Sequence, residues 1–536
     1  MWRIFLFASL TYIGAQAVWH DDSGPWIIAT QGELFPRAAV RNVKEDFLTL
    51  RPSIFQFLIS GKTCDILDDA VERYKSIIMR EARITATAAL PVPETFVHQE
   101  PFWRGDLAAL DINLENPCEL LPYLHMNENY SLEINEVTKS GSLNATDVWG
   151  ILRGLESFSQ LLAPASDGHL KIKAQNIRDF PRFPHRGLLL DTSRHFIPVS
   201  DILLTLDAMS YNKMNVLHWH IVDDNSFPYV STAYPELSAK GAYHPSMVYS
   251  PANVRKIIEY ARLRGIRVLP EFDTPAHSKC WGLSHPELLT ECYESGRPNG
   301  KLGPMNLIKP ELWPFLETLF AEIFQVFPDR YTHLGGDEIV FDCWASNPEI
   351  IEYMRQHKYK DGDLKALEAD YFRRMLQVPR SANISSIVWQ EVFSNVDDLS
   401  AETVVQIWTG SWQSLMVDVL SKNHSAILSA CWYLDALKSG GDWLKYYQCD
   451  PTSFDGTLEM KSRVLGGEAC MWGEFVDRMN VHPRIWPRAC AAAERLWSQG
   501  MDISTEVQKR LEEHSCRMNR RGVPAQPPNG AGFCVL

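Results

Sequence analysis

Charged and aromatic residues follow eight short apolar runs along the longer, C-terminal part of the sequence. These residues are Arg194, Asp223, Asp224, Asp273, His277, Asp337, Glu338, Glu391, Trp408, Trp432, Tyr433, Asp435, Trp472 and Glu474. Carboxylates accept hydrogen bonds from sugar hydroxyl groups, and indole rings pack against the apolar C–H face of a pyranose. The adjacent carboxylates Asp337 and Glu338 are therefore the strongest candidates for acid–base chemistry on a sugar ligand.

Each of these residues also has an ordinary structural explanation. A single Trp usually packs in a core, and an Asp after a strand often caps the next helix. Arg194 has candidate ion-pair partners in Asp191 and Asp273. The functional interpretation rests on their joint occurrence, because the loops that follow parallel barrel strands all meet at one face.

Four histidines offer a second interpretation, a metal-dependent hydrolase. His218 and His220 point to one side of a strand because they are two residues apart, and His277 and His333 belong to other strands or their ends. The first two precede the strand end, whereas Asp223 follows it, so both fit better as core histidines with protein partners. We therefore predict no metal and no other cofactor.

The elements that position these residues repeat along the chain. Amphipathic stretches, including 202–211, 253–263 and 312–324, separate most of the apolar runs, which are 187–190, 215–222, 266–272, 331–334, 386–389, 403–407, 425–429 and 464–467. Eight strands alternating with helices predict an α/β fold, a closed parallel (β/α)₈ barrel over residues 181–536. A doubly wound open sheet is the alternative, but no Gly-x-Gly-x-x-Gly turn follows a strand.

Residues 18–180 lack this repeat and mix two kinds of pattern. Helical periodicity over 67–82 and 145–162 flanks alternating apolar residues in 107–114 and 130–137. We predict a smaller α+β domain here. Two closely spaced prolines, Pro181 and Pro184, indicate its boundary with the barrel.

The N-terminal segment predicts a secretory-route protein. Residues 1–17 have the pattern of a signal peptide, in which Arg3 precedes an apolar run and Ala15-Gln16-Ala17 offers a cleavage site. That run is shorter than the roughly 20 residues that a membrane span needs. Candidate glycosylation sequons lie at Asn129, Asn144, Asn383 and Asn423. The net charge of -14 argues against nucleic acid or an anionic membrane as a partner.

The segment around the adjacent carboxylates, His333-Leu334-Gly335-Gly336-Asp337-Glu338, resembles the His-x-Gly-Gly-Asp-Glu motif of family 20 glycoside hydrolases, the β-N-acetylhexosaminidases. Five further segments match the family in the same order, namely 186–195, 218–220, 271–275, 388–391 and 467–474. The similarity covers the barrel to the C-terminus and, more loosely, the first domain. Within the family, the chain is most similar to the animal lysosomal β-hexosaminidase subunits.

The resemblance implies a retaining mechanism in which the 2-acetamido oxygen of the substrate attacks the anomeric carbon. Glu338 would act as general acid and then as base, while Asp337 would orient the acetamido N–H. Asp223 and His277 would form a relay behind the acid. The residues implied to hold the terminal sugar are Arg194, Trp389, Trp408, Tyr433, Asp435, Trp472 and Glu474.

Some positions depart from the family pattern. Ala276 replaces the usual Gly before His277. Asp435 and Ala436 stand where relatives that accept negatively charged sugars have an amide and an arginine, so we predict neutral GlcNAc and GalNAc substrates. Ser439 stands where dimeric animal relatives have a tyrosine that reaches the partner's site, which argues against a shared site while a homodimer is still expected.

The resemblance also implies disulfides among the eleven cysteines, pairing Cys64 with Cys118, Cys292 with Cys343, and Cys516 with Cys534. The other five would be free or buried. The expected substrate is a glycolipid, a glycoprotein or a chitin-like oligosaccharide, and the expected location is the lysosome, with the extracellular space as the alternative. Three rival functions are a sugar-binding protein on an inactive scaffold, which should lack Asp337 or Glu338, a chitin-fragment hydrolase of the same chemistry with a longer binding cleft, and an N-glycan trimming enzyme of the secretory route.

Overall fold

The structure is a computed structural model that describes residues 23–88, 100–165, 169–436, 441–502 and 504–536. The signal-peptide pattern of residues 1–17 and the position of Ser439 lie outside these ranges. Within them, no helix is both long enough and apolar enough to cross a bilayer.

The first domain is an eight-stranded mixed sheet covered by two helices. Its elements are β1 (Val40–Leu50), β2 (Gln56–Ile59), α1 (Asp65–Ala88), β3 (Trp103–Asp106), β4 (Ala109–Leu114), β5 (Tyr130–Asn135), β6 (Ser140–Ala145), α2 (Val148–Gln160), β7 (Ala163–Pro164) and β8 (Leu170–Asp179). The strand order is β2-β4-β6-β5-β8-β1-β3, with β7 paired to β8. Burial alternates along β4 and β5, because one face of the sheet packs under the helices. The predicted α+β domain is confirmed.

The strands of the second domain are β9 (His185–Asp191), β10 (Val216–Val222), β11 (Arg267–Phe272), β12 (Leu289–Glu294), β13 (Arg297–Met305), β14 (Tyr331–His333), β15 (Ser385–Trp389), β16 (Val404–Ile407), β17 (Ala426–Leu428) and β18 (Val464–Met471). All except β12 and β13 form a closed parallel barrel in which β9 pairs with both β10 and β18. Strands β9, β10, β11 and β18 are buried along their whole length, as expected when helices cover a parallel sheet. The predicted (β/α)₈ barrel is confirmed.

Helices surround the barrel, and the antiparallel hairpin β12–β13 is inserted between β11 and β14. The helices are α3 (Val199–Tyr211), α4 (Glu236–Gly241), α5 (Pro251–Arg262), α6 (Leu312–Val326), α7 (Asp342–Ser346), α8 (Pro348–Gln356), α9 (Leu364–Met375), α10 (Gln377–Ser381), α11 (Gln390–Asn395), α12 (Trp412–Ser421), α13 (Trp443–Gln448), α14 (Leu458–Ser462), α15 (Val481–Ile485), α16 (Arg488–Trp497) and α17 (Thr505–Arg520). Two short 3₁₀ turns precede the hairpin, at Lys279–Leu283 and Pro286–Leu288.

The first domain packs against the N-terminal ends of the barrel strands. Arg153 on α2 donates to the backbone oxygen of Gly265, just before β11, at 2.8 Å. Lys213, which precedes β10, donates to Asp179 at the end of β8, also at 2.8 Å. Because these contacts lie at the start of the strands, the opposite face, where the strands end, stays open for a ligand.

The structure contains the three disulfides that the resemblance implies, Cys64–Cys118, Cys292–Cys343 and Cys516–Cys534. The expectation that Cys431 and Cys449 are unbonded is wrong, because they form a further disulfide. Cys431 lies in the loop after β17 and Cys449 at the end of α13, and their Cα atoms are 6.2 Å apart. This proximity arises from the fold and is not visible in the sequence. Cys280, Cys470 and Cys490 are free and buried.

Candidate active site

The residues predicted for the site all lie at the ends of barrel strands or in the loops that follow. Arg194 follows β9, Asp223 follows β10 and His277 follows β11. Most of the predicted residues line a cavity of about 260 Å³. Its walls are formed by Arg194, Asp337, Glu338, Trp408, Tyr433, Asp435, Trp472, Glu474, Phe475 and Val476. Asp223, His277 and Trp389 are absent from this lining. Asp223 contacts Arg194, Trp389 lies beside Trp472, and His277 lines a neighbouring cavity that also includes Glu338. Phe475 and Val476 were not predicted, since an apolar residue in a loop carries no functional signal.

A glycine turn after β14 gives Asp337 and Glu338 very different surroundings. Gly335 and Gly336 have φ of 72° and 101°, and a Cβ on Gly335 would lie 1.6 Å from an oxygen of Asp273. Only glycine fits that position. The turn leaves the Asp337 side chain 12% exposed and the Glu338 side chain 60% exposed. One carboxylate is therefore enclosed, while its neighbour reaches solvent.

The Oδ1 atom of Asp337 is buried and has no hydrogen-bond partner among the described residues. An unpaired buried acceptor costs about 1–3 kcal/mol, so this oxygen is suited to receive a donor from a ligand. Asp273 lies beside it. Burial, followed by the charge of Asp337, raises the pKa of Asp273 well above its ordinary value, which favours the protonated form of Asp273. Asp273 accepts a hydrogen bond from the Gly336 N–H at 3.0 Å and so supports the turn.

His277 links the two carboxylates to a buried chain. Its Nε2 lies 3.7 Å from Oε2 of Glu338 and 3.8 Å from Oδ2 of Asp337. Its Nδ1 donates to Asp223 Oδ1 at 3.2 Å, and Asp223 Oδ2 accepts from His220 at 2.9 Å. Although burial lowers the pKa of His277, the hydrogen bond to Asp223 and the nearby carboxylates raise it to about 10. His277 is thus an imidazolium at neutral pH.

Asp223 stays ionised in this chain. Burial raises the pKa of Asp223, but hydrogen bonds from His220 and His277 outweigh it and hold that pKa far below its ordinary value. Arg194 adds a further contact, with Nη2 2.7 Å from Asp223 and Nη1 3.0 Å from Asp191. Its guanidinium also lies 5.1 Å from the ring centre of Trp472. Arg194 is therefore fixed at the wall of the cavity.

Aromatic rings form the rest of the wall. Trp408 stacks on Tyr433 with ring centres 6.0 Å apart, and Trp389 lies 6.0 Å from Trp472. The indole N–H of Trp408 donates to both oxygens of Glu391 at 3.0 Å. Burial, with a smaller contribution from the charge of Asp337, raises the pKa of Glu391 to about 7 despite this bond. Its position at the strand end was noted from the sequence, but its contact with Trp408 was not predicted.

A buried network of histidines and glutamates supports the strand ends from inside the barrel. Glu271 accepts from His220 at 2.6 Å and from Trp389 at 2.9 Å, and His218 donates to Glu468 at 2.6 Å. Although burial lowers the pKa of His218, the charges of Glu468 and Glu271 raise it to about 9. His218 and His220 thus pair with carboxylates in the core.

Three groups of described residues place His, Asp or Glu ligand atoms close enough to hold a metal ion. They are His218, Glu271 and His333; Asp223, Asp224 and His277; and Asp273, His277 and Asp337. In the first two groups the carboxylates already pair with histidine, Trp389, Arg194 or Lys279. In the third group, the raised pKa values of His277 and Asp273 favour their protonated forms, which do not bind a metal ion. The donor set therefore favours proton transfer over metal binding.

The chain resembles known proteins over nearly its whole length. Residues 183–500 match the family model described as glycosyl hydrolase family 20, catalytic domain, and residues 34–161 match one described as beta-acetyl hexosaminidase like. The human beta-hexosaminidase subunit beta is 45% identical, with 94% of this chain and 89% of the relative covered. The mouse subunit alpha is 44% identical, covering 91% and 92%. A solved chitobiase from Flavobacterium johnsoniae has a TM-score of 0.78 and 30% identity over 92% of this chain and 73% of its own.

Proposed function

Since the chain belongs to glycosyl hydrolase family 20, and is thus a glycoside hydrolase with β-hexosaminidase relatives, we propose that it is a retaining exo-β-N-acetylhexosaminidase. It removes terminal, non-reducing GlcNAc and GalNAc through an oxazolinium intermediate and prefers neutral sugars. The observation that carries this proposal is the buried, unpartnered Oδ1 of Asp337 beside the exposed Glu338. A substrate with an acetamido N–H supplies the donor that Asp337 lacks.

The first step divides the work between the two carboxylates. Glu338 donates a proton to the glycosidic oxygen as the bond from that oxygen to C1 breaks. The acetamido carbonyl oxygen of the same sugar attacks C1 and closes a five-membered ring. Positive charge then develops on the ring nitrogen, and the carboxylate of Asp337 stabilises it at close range. Asp337 therefore serves a nucleophile that arrives with the substrate.

The second step reverses the proton movement. Glu338 removes a proton from water, the water oxygen attacks C1, and the ring opens to restore the acetamido group. Two displacements at C1 leave the product with the β configuration of the substrate. The imidazolium of His277 lies within 4 Å of both carboxylates and balances their negative charge while protons move, and Asp223 supports the protonated form of His277 through its hydrogen bond.

The walls of the cavity supply binding. Arg194 and Glu474 hold hydroxyl groups of the terminal sugar, and Asp435 accepts from another hydroxyl through an oxygen that has no described partner. The indoles of Trp389, Trp408 and Trp472 surround the acetamido methyl group, and the Tyr433 hydroxyl donates to the acetamido carbonyl oxygen. This enclosure is why the substrate must carry a 2-acetamido group.

We expect the purified protein to hydrolyse 4-nitrophenyl N-acetyl-β-D-glucosaminide and galactosaminide with kcat/KM at least about 10³-fold above that for the plain β-D-glucoside. The reason is that a 2-hydroxyl group cannot close the five-membered ring, so no positive charge develops beside Asp337, which removes roughly 4 kcal/mol of transition-state stabilisation. NMR of the first-formed sugar should show the β anomer. Comparable hydrolysis of the glucoside, or an α product, would contradict the mechanism. A folded protein without any turnover would favour the sugar-binding alternative.

The preference for neutral sugars rests on Asp435. Burial raises the pKa of Asp435, and the negative charge of Glu474 raises it further. This part of the cavity is therefore already unfavourable to additional negative charge. Changing Asp435→Asn together with Ala436→Arg should raise kcat/KM for a 6-sulfated N-acetylglucosaminide about tenfold, since about 1.4 kcal/mol is a modest gain for one new charge contact. The single change Asp435→Asn is the matched control and should raise kcat/KM for the sulfated substrate by less than the double change does. An unchanged ratio of sulfated to neutral activity in the double variant would refute the charge argument.

We propose glycolipids, glycoproteins or chitin-like oligosaccharides as the natural substrate class, and a homodimer acting in the lysosome or outside the cell. The exposed side chains of Asn129, Asn383 and Asn423 suit N-glycosylation in that route, whereas Asn144 is half-buried within β6 and accepts a hydrogen bond from Asn113. The lysosomal assignment rests on the likeness to animal subunits and on the signal-peptide pattern of residues 1–17.

A further inference from the structure

Two residues at the start of α11, Gln390 and Glu391, hold Trp408 in place. Both follow Trp389 at the end of β15, and Trp408 directly follows the neighbouring strand β16. The side-chain oxygen of Gln390 accepts from the backbone N–H of Trp408 at 3.0 Å and from that of Thr409 at 3.2 Å. Both oxygens of Glu391 accept from the indole N–H of Trp408 at 3.0 Å. One turn of helix therefore binds both the backbone and the ring of this tryptophan.

The segment that follows Trp408 gives the indole little support of its own. Residues 409–411 are exposed, and a Cβ added to Gly410 would meet open space. The ring of Trp408 stacks on Tyr433, with 28° between the two planes. A stack of this kind allows one ring to slide over the other, whereas a hydrogen bond to the indole N–H fixes the direction of the ring edge. The bond to Glu391 therefore sets how far the indole reaches into the sugar cavity.

Glu391 itself does not line the sugar cavity, although Trp408 and Tyr433 do. An acidic residue in the first turn of a helix is common, and it normally remains in solvent. Here burial raises the pKa of Glu391 to about 7, the bond from Trp408 opposes this shift, and the charges of Asp337 and Glu338 add to it. A partly buried carboxyl beside two others is costly, and its bond to Trp408 offsets part of that cost.

We infer that Gln390 and Glu391 are positioning residues that, through Trp408, set the size of the acyl group accepted on the sugar nitrogen. This inference rests on the proposed function, in which Trp389, Trp408 and Trp472 surround the acetamido methyl group. An indole that cannot move leaves room for a methyl group, and one more methylene must then strain the wall. The same wall directs the acetamido carbonyl oxygen towards C1.

The test compares 4-nitrophenyl β-D-glucosaminides that carry an N-acetyl or an N-propanoyl group. Their carbonyl oxygens are almost equally nucleophilic, so the ratio of the two kcat/KM values reports the space around the acyl chain. We expect the unaltered protein to favour N-acetyl about 30-fold, as one extra methylene in a packed site commonly costs.

Glu391→Leu keeps a side chain of similar size and removes both acceptors, so the N-acetyl preference should fall below about fivefold. On the N-acetyl substrate, kcat should fall about tenfold while KM changes less than about threefold, because the lost contact orients the reacting oxygen. Gln390→Ala frees the backbone of Trp408 without removing a carboxyl, and should reduce the preference to about tenfold. A preference that stays near its original value in both variants would overturn the inference.

Two further variants separate positioning of Trp408 from general packing of α11. Glu391→Gln keeps an oxygen for the indole N–H and should restore the N-acetyl preference to within about twofold of the original. Glu368→Leu is the matched control, because buried Glu368 holds the other end of α11 by accepting from Asn395 at 3.0 and 3.1 Å. It should lower stability and leave the preference unchanged. An equal loss of preference in Glu368→Leu, or no restoration in Glu391→Gln, would overturn the inference.

Failure of the proposed function would be recognised from the unaltered protein. If it hydrolysed neither N-acyl glycoside, or hydrolysed the plain β-D-glucoside equally fast, the proposed function would be overturned and the inference with it. If it hydrolysed the N-acetyl and N-propanoyl substrates equally well but not the glucoside, only the inference would be overturned.

Discussion

Asp337→Asn is expected to lower kcat on 4-nitrophenyl N-acetyl-β-D-glucosaminide by about 10³-fold, while KM changes less than about fivefold. The asparagine side chain has the same shape and keeps an oxygen that can accept the acetamido N–H. It lacks the negative charge that opposes the positive charge on the ring nitrogen. In a partly enclosed site, the loss of such a contact costs roughly 4 kcal/mol in the transition state only. Steady-state kinetics at saturating substrate measures both quantities.

Asp273→Asn provides the matched control for that experiment. It makes the same chemical change next to Asp337, but the raised pKa of Asp273 favours its neutral form, so we expect the change to remove little charge. The asparagine oxygen can still accept from the Gly336 N–H. We expect kcat to fall by less than about tenfold. Equal losses in both variants would show that packing around the glycine turn, and not the charge of Asp337, limits the reaction.

The barrel was predictable because its strands are covered on both faces and therefore read as continuous apolar runs. The prediction was least accurate where a polar residue is buried. The last run was assigned to 464–467, whereas β18 extends to Met471. Glu468 interrupts the run, yet it is fully buried because His185 and His218 pair with it. Sequence patterns cannot reveal that compensation, since the partners come from other strands.

The hairpin β12–β13 was missed for the opposite reason. Most of β13 is exposed and contains glycine and proline, so it has no alternating pattern to recognise. It is held by pairing with β12 and by the Cys292–Cys343 disulfide. It nevertheless supplies Leu302, Gly303 and Pro304 to a cavity that adjoins Glu338. The sequence therefore predicted the sugar cavity but not its neighbour.

The positions of the site residues followed from strand ends, but their ionisation states did not. Adjacent residues such as Asp337 and Glu338 look equivalent in a sequence, and only the turn at Gly335 and Gly336 gives them different exposure. The raised pKa values of Asp273 and Glu391 likewise depend on distances across the barrel face. These properties arise from through-space contacts, which no spacing along the chain encodes.

The effect of Glu338→Gln should depend strongly on the leaving group. An alkyl N-acetylglucosaminide has a poor leaving group that must be protonated, so kcat/KM should fall by about 10⁴-fold. A 2,4-dinitrophenyl leaving group departs without a proton, and its kcat/KM should fall by less than about tenfold. The ratio between these two substrates measures the general acid directly. A similar loss on both would mean that Glu338 binds the sugar without donating a proton.

Addition of azide tests the role of Glu338 as a base in the second step separately from its role as an acid in the first. Without a base, water opens the intermediate slowly, so turnover of the dinitrophenyl substrate by Glu338→Gln should be limited by this step. Azide is already an anion and needs no base, so it should raise turnover by about 10-fold or more and give a β-glycosyl azide. Glu474→Gln is the matched control, because it lines the same cavity yet should raise KM without any response to azide. Azide rescue of both variants, or of neither, would mean that another group acts as the base. Glu391, whose pKa is raised to about 7, would then be the next candidate.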